Sequence, residues 1–265
     1  MNGKFNGIAW QESGEAGAPP VIFIHAFPLD RTQWDEQAAL VEKNFRVLRY
    51  DVRGLGESEV GGGQYTIEQF ADDLFALMDE RKIGRAAVCG ISMGGYIALR
   101  AAERSPERFS ALILCDTRSE ADGNEAKLKR HTAMKAVQKN LATYADTFMR
   151  ATLAEETLSG APAVTGKVRA IISRQSPAGV CGALLAMAAR TDTTEALPNM
   201  KMPVLILVGE KDSLTPPSAS EAMKKSLPDA ELRVIPGASH LSNFDRPQVF
   251  NEHLSAFLRR TAAKA

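Results

Sequence analysis

Apolar positions in this chain gather into short, nearly unbroken runs: Val21–His25, Phe45–Asp51, Ala86–Gly90, Ala111–Cys115, Val204–Gly209 and Glu231–Pro236. A strand that is apolar at consecutive positions is buried on both faces, as in a parallel sheet covered by helices. Between most of these runs the period changes to that of a helix. Ile67, Phe70, Leu74, Leu77 and Met78 form one stripe behind Thr66, a capping residue, and Gly84 follows its end. Val249, Leu254, Phe257 and Leu258 predict a closing helix, and the segment KFNGIAWQES before Val21 predicts a short antiparallel edge. Strands alternating with helices through right-handed crossovers give an α/β fold, a doubly wound and mostly parallel sheet.

The alternation lapses once. From Thr117 to about Pro198 there is no buried strand pattern, only helical text. Met134, Val137, Leu141, Tyr144 and Phe148 fall on one helical face, and further helices are expected near Val164–Arg174 and Pro177–Arg190. The organisation expected is a core made of residues 1–116 and 199–265, interrupted by a helical insertion at 117–198. Such an insertion is either a cap over the carboxyl edge of the sheet, where ligands bind in open α/β folds, or a packing element.

Composition narrows the function classes. At 265 residues the chain suits one large domain, and 32 basic against 32 acidic side chains leave a formal net charge of zero. No basic excess points to nucleic acid or to an anionic membrane. The longest apolar runs, such as Gly182–Ala189, are too short to span a bilayer, and no charged-then-apolar leader is expected. Cys89, Cys115 and Cys181 form no CxxC pair, which suits buried free thiols in a reducing cytoplasm. No P-loop is present, and no His, Cys and Asp cluster has metal-binding spacing. Residues 53–58, RGLGES, lack the third spaced glycine of a dinucleotide fingerprint, and Gly61, Gly62 and Gly63 read as loop.

One stretch carries chemistry. Gly90-Ile91-Ser92-Met93-Gly94 matches G-x-S-x-G between an expected strand and an expected helix. A serine on such a sharp turn has little room, so its neighbours two positions away must lack bulk. The turn pushes the hydroxyl out at the sheet edge and puts the next backbone N–H at a helix N-terminus, where negative charge is stabilised. A serine hydroxyl needs a base, and the base needs a carboxylate. Of the four histidines, His131 and His253 read as surface residues, His25 ends the first long strand, and His240 lies in a small-residue loop after the last one. Asp212 follows the strand Val204–Gly209. Serine, acid and histidine then occur in that order, each after a different strand.

These segments resemble the α/β-hydrolase fold family, of the carboxylesterase and 3-oxoadipate enol-lactonase type, with a helical cap. HAFPLD at His25–Asp30 is similar to the family's His-Gly loop, and DVRGLGES at Asp51–Ser58 to its Asp-x-Arg-Gly-x-Gly-x-Ser loop. GISMGG, GEKD and GASH are similar to its nucleophile, acid and histidine segments. The resemblance implies a catalytic triad of Ser92, Asp212 and His240, with Phe27 and Met93 as backbone oxyanion donors and His25 shaping its loop. Ala26 departs from the pattern, which has glycine there, so the loop must avoid a backbone conformation that only glycine tolerates. Asp116 occupies a position from which some members supply the acid, and is otherwise a loop-ordering or pocket residue.

The function expected is a serine hydrolase of small carboxylic esters, needing no cofactor and acting as a monomer or homodimer. The alternatives within the fold are an enol-lactonase, a C–C bond hydrolase or a cofactor-free perhydrolase; outside enzymes, a non-catalytic receptor. A serine at the elbow argues against dehalogenase or epoxide hydrolase chemistry, for which the resemblance implies aspartate. Phe27, Phe148 and the apolar stripe favour an uncharged acyl group. Arg118 is either a clamp for a substrate carboxylate or a local ion-pair partner among Asp116, Glu120 and Asp122.

Overall fold

A computed structural model describes residues 1–263. The first two strands, β1 (Asn2–Phe5) and β2 (Ile8–Ser13), form a hairpin whose turn residues Asn6 and Gly7 both have positive φ, at 48° and 79°. Then come β3 (Pro20–Ile24), α1 (Asp35–Val41), β4 (Arg46–Tyr50), α2 (Ile67–Glu80), β5 (Ala86–Ile91), α3 (Met93–Arg104) and β6 (Phe109–Cys115). After a helical insertion the chain returns to β7 (Val204–Gly209), α9 (Pro217–Ser226), β8 (Ala230–Ile235), α10 (Ser242–Asp245) and α11 (Pro247–Ala262). The eight strands are ordered β1-β2-β4-β3-β5-β6-β7-β8, antiparallel at the β1–β2–β4 end and parallel throughout the rest.

This order explains the hydropathy pattern. On β3, Val21 and Phe23 pack on one face with Trp34 of the following turn, Val41 and the Phe250 helix, while Ile22 and Ile24 pack on the other with Phe70, Leu74 and Ile97. Both faces are dry, so no position on the strand is polar. Thr66 caps α2 by accepting from Gln69 N–H at 3.1 Å, and the buried Ile67, Phe70, Leu74, Leu77 and Met78 stripe faces the sheet. Each such side chain contributes roughly 1.5–3 kcal/mol by leaving water.

From β3 the chain moves outward to β4, then crosses back to β5 on the other side of β3. That reversal is a topological switch point, and Ile24 and Gly90 pair in register there, so both carboxyl ends stop level with each other.

The insertion comprises α4 (Asn124–Lys139), α5 (Leu141–Thr152), α6 (Glu155–Gly160), α7 (Pro162–Ser173) and α8 (Pro177–Ala188). The stripe expected on one helix face, Met134 to Phe148, is split between α4 and α5. Asn140 breaks it: with φ −166° and ψ 107° it leaves the helix, and its side chain accepts from Thr143 N–H at 2.9 Å to start a new one. The helix α6 carried no expectation; its residues are too few and too polar to show a period. Among the described residues, no helix is long and apolar enough to cross a membrane.

Candidate active site

Ser92 joins the last residue of β5 to the first of α3 with φ 53° and ψ −115°. This is a sparsely populated conformation for a residue with a side chain, and it persists only where the surroundings enforce it. Ser92 N–H donates to the Cys115 carbonyl of β6 at 2.9 Å, and the Thr117 hydroxyl donates to the Ser92 carbonyl at 2.9 Å. The flanking glycines are required by closeness. A Cβ on Gly90 would lie 2.2 Å from the Gly94 carbonyl oxygen, and one on Gly94 would lie 2.3 Å from that of Ile24. The elbow thus packs the first turn of α3 onto the end of β3.

Asp212 and His240 arrive from the loops after β7 and β8, beyond β6 in the sheet. His240 Nε2 lies 2.8 Å from Ser92 Oγ, and Nδ1 lies 2.9 Å from Asp212 Oδ2. The carboxylate can only accept, so Nδ1 carries the ring proton and donates it in a hydrogen bond to Asp212, leaving Nε2 to accept from the serine hydroxyl. Asp212 is itself well supplied with donors: Leu214 N–H at 2.8 Å and Thr215 N–H at 3.0 Å reach Oδ1, and the Thr215 hydroxyl reaches Oδ2 at 2.6 Å. Burial pushes its carboxyl upward, yet His240 and these donors together hold it below the ordinary carboxylate value. Thr215 was not singled out from sequence, although it lies three residues beyond Asp212 in the same segment.

On the other side of Ser92, the loop after β3 is fixed by side chains. His25 is fully buried; its Nε2 accepts from Val52 N–H at 2.9 Å, so Nδ1 carries the proton and donates to the Ala26 carbonyl at 2.9 Å. Burial pushes its pKa down, which keeps it neutral. Ala26 has no positive φ, so the loop does avoid the glycine-only conformation, and its N–H donates to Gln33 Oε1 at 2.8 Å. Gln33, 1% exposed, gave no signal in the sequence. Among the described residues, neither Phe27 N–H nor Met93 N–H donates to a protein acceptor.

None of the remaining candidates is a hydrogen-bond partner of Ser92 among the described residues. Asp116, at φ 44°, is fully buried; its Oδ1 accepts from Gly209 N–H at 2.8 Å and its Oδ2 from Ser242 N–H and hydroxyl. Burial first, then the nearby Asp212 charge, raise its carboxyl well above the ordinary value. Arg118 lines a crevice with Ile67, Tyr96, Ser119 and Arg190, and its Nε stands 4.0 Å from Glu120. Phe148 of α5 is half-buried, edge-to-face with Phe27 at 6.4 Å between ring centres, and Tyr144 stands 6.4 Å from Phe148. His131 is exposed on α4, and His253 is half-buried on α11. Among the described residues no group of three or more His, Cys, Asp or Glu is arranged to hold a metal ion.

Residues 19–247 match the family model described as alpha/beta hydrolase fold. The 3-oxoadipate enol-lactonase 2 of Acinetobacter baylyi is 29% identical over 247 residues, spanning 93% of this chain and 91% of that protein. Among solved structures, a thermophilic esterase from Thermogutta terrifontis superposes with a TM-score of 0.91 at 37% identity, covering 96% of this chain and 94% of that one. The enol-lactonase from Burkholderia xenovorans also gives 0.91, at 30% identity, over 98% of this chain and 100% of that one. Sequence and architecture agree along nearly the whole length, and the protein belongs to the alpha/beta hydrolase fold family.

Proposed function

We propose that the protein is a serine hydrolase of small carboxylic esters, with Ser92, His240 and Asp212 as its catalytic triad. The observation that carries this reading is the unbroken hydrogen-bond chain from Ser92 Oγ across the His240 ring to Asp212, with separations of 2.8 and 2.9 Å. Ser92 Oγ attacks the ester carbonyl carbon while His240 Nε2 takes its proton, and the ionised Asp212 stabilises the imidazolium. The tetrahedral oxyanion accepts from Phe27 N–H and Met93 N–H, each such donor being worth about 3 kcal/mol. The C–O bond then breaks, and His240 returns the proton to the departing alcohol. Water, deprotonated by His240, attacks the acyl-enzyme and releases the acid and free Ser92. No step calls on a cofactor.

In this reading residues 117–198 act as a cap on the core formed by 1–116 and 199–265. Supporting it, Phe148 and Tyr144 of α5 build an aromatic wall over Phe27. Such a wall selects uncharged acyl groups, and each methylene buried there adds about 0.8 kcal/mol until the pocket fills. The free thiols, with Cys89 and Cys115 buried side by side, suit a cytoplasmic protein. A second reading, enol-lactone hydrolysis, is favoured by the names of two relatives. An anionic lactone needs a cation at the site, and Arg118 faces Glu120 and a crevice beside Tyr96.

Fluorophosphonate labelling, followed by kinetics on p-nitrophenyl esters beside a lactone panel, tests both readings. Ser92 is expected to be labelled, and Ser92→Ala to lower kcat by about six orders of magnitude with folding intact. Wild-type protein that resists labelling, or a Ser92→Ala variant with substantial turnover, removes the triad reading. Short neutral esters are expected to give the higher kcat/KM. An anionic lactone that outperforms them, with the advantage erased in Arg118→Ala, installs the lactonase reading instead.

A further inference from the structure

His240 is placed by a short loop in which the backbone donors on either side of it are directed at specific acceptors. Ser239 N–H donates to Asp245 Oδ2 at 2.7 Å, Leu241 N–H to the Thr152 carbonyl at 3.0 Å, and Ser242 N–H to Asp116 Oδ2 at 3.3 Å. Leu241 reaches the insertion directly, and Ser239 reaches it through Asp245. Thr152 is the last residue of α5, and Asp245 accepts from Ala154 N–H through both carboxyl oxygens at 3.1 Å. Asp245 therefore bridges the residue before His240 to the residue that opens α6. It is 6% exposed, and among the described residues its carboxylate has no ion-pair partner. A buried carboxylate held by N–H dipoles alone is costly, and an apolar residue would fill the space without that cost. What an apolar residue cannot do is fix two donors in direction.

We propose that Asp245 is a positioning residue, which makes the seating of the cap and the placement of His240 over Ser92 a single arrangement. The proposal rests on the reading of His240 as the base. The tie is continuous with the acyl wall: α5 carries Phe148 against Phe27 at one point and ends at Thr152, which holds Leu241. An acyl group that seats well against Phe148 leaves α5, and through it the histidine loop, undisturbed. One that displaces α5 draws the base away from the serine. Cap and base respond together.

Two substitutions cut the tie without touching Ser92, Asp212, His240, Phe27 or Met93. Asp245→Ala removes both acceptor oxygens; an asparagine would not do, because Oδ2 alone accepts from Ser239 N–H and Ala154 N–H and an amide oxygen there could keep both. Ala154→Pro deletes the donor on the insertion side. Its φ of −65° and the extended Leu153 before it, at φ −103° and ψ 147°, already suit proline. Since a misplacement of about an ångström costs up to about 100-fold, we expect each variant to lower kcat on p-nitrophenyl acetate by about tenfold, with KM unchanged within about twofold. The rate of Ser92 phosphonylation by a fluorophosphonate should fall in parallel, because that attack uses the same base. A merely structural Asp245 would lower the melting temperature and leave kcat per labelled site at the wild-type value. That result, in whichever variant folds cooperatively, overturns the proposal while wild-type labelling upholds the triad. Wild-type protein that is not labelled at Ser92 overturns the triad reading, and this proposal with it.

Discussion

Asp116 and Asp212 both follow a parallel strand, both are buried, and their carboxyls are pushed in opposite directions. The difference lies in what surrounds them. Both accept from two backbone N–H groups and a hydroxyl, but Asp212 also faces a histidine, whereas Asp116 is more deeply buried and faces the charge of Asp212. The sequence offers both as acids, since each follows an apolar run, and only the loop fragment around Asp212 separates them. Thr215 lies three residues beyond the GEKD fragment, and Gln33 and Asp245 are polar residues in single helical turns, which read as solvent-facing until the fold encloses them. Losing the orienting carboxylate costs about four orders of magnitude in a well-studied triad, so on the proposed triad Asp212→Asn should lower kcat by about that much. Asp116→Asn should cost no more than about tenfold, because asparagine tolerates the positive φ and its carbonyl can still accept from Gly209 N–H. A reversed ranking would move the acid to the end of β6. The stability consequence has a definite sign. A carboxyl raised in the folded state binds its proton more tightly there, so its ionisation penalises folding as pH climbs above the ordinary 3.8. Asp116→Asn removes that penalty. Urea unfolding should therefore show the variant gaining on wild type between pH 4 and neutrality, and a gap that shrinks over that range would contradict the assignment.

At the scale of elements, the sheet was legible because β3, β5, β6 and β7 are dry on both faces; β8, expected to be the same, is an edge strand with Arg233 and Val234 exposed. The helix α2 was legible because an apolar stripe at helical spacing runs between recognisable ends, and α11 from its apolar positions alone. The break between α4 and α5 was not, since a stripe continues across Asn140 even though the helix stops there. A capping residue within a periodic segment looks like any other polar position until its φ and ψ are known. The elbow was legible for a different reason: its glycines are imposed by backbone contact, so the need for them survives in the sequence. That contact also sets the proposed oxyanion site, because α3 carries Met93 N–H and β3 leads into Phe27. A Cβ at Gly94 would meet the Ile24 carbonyl oxygen at 2.3 Å and the His25 carbonyl oxygen at 3.0 Å. Gly94→Ala must therefore push α3 away from β3. We expect kcat to fall by about 100- to 1000-fold, comparable with the loss of one oxyanion donor. Circular dichroism should still report a folded α/β protein. A Gly94→Ala enzyme with wild-type kcat would show that the site does not depend on this packing.

The whole molecule is held to its insertion by contacts that no local pattern announces. Ser119 and Thr193 lie near the two ends of the insertion, 74 residues apart, and Thr193 N–H and hydroxyl both donate to the Ser119 carbonyl, at 3.0 and 3.1 Å. Beside them Arg190 pairs with Asp122, donates to the Glu120 carbonyl, and lies 4.1 Å over the Tyr96 ring of α3. The side chains of Arg190 and Asp122 are 2% and 5% exposed, so this is a buried pair at the neck of the insertion. Sequence shows the charges but not which one meets which, because the pairing is decided by how two distant segments converge. Removing one partner of a buried pair costs about 3–5 kcal/mol, since the other is left uncompensated. Arg190→Met keeps a stem that packs on Tyr96 but supplies no donors. Arg130 stays 3.0 Å from Asp122, which places the expected loss at the lower end, about 3 kcal/mol, read from the urea midpoint at neutral pH. The pH dependence follows from the direction of the Asp122 shift. Burial pushes its carboxyl up, but Arg130 and Arg190 outweigh it and hold the group below the ordinary 3.8. A depressed carboxyl lends stability that is present above its unfolded value and is lost as pH falls through its folded one. Wild type should therefore lead Arg190→Met at neutral pH, and the lead should diminish once Asp122 takes up its proton below about pH 4. Equal stability at neutral pH, or a lead that widens in acid, would mean that the neck is held by the Ser119–Thr193 bonds and the Tyr96 stack rather than by charge.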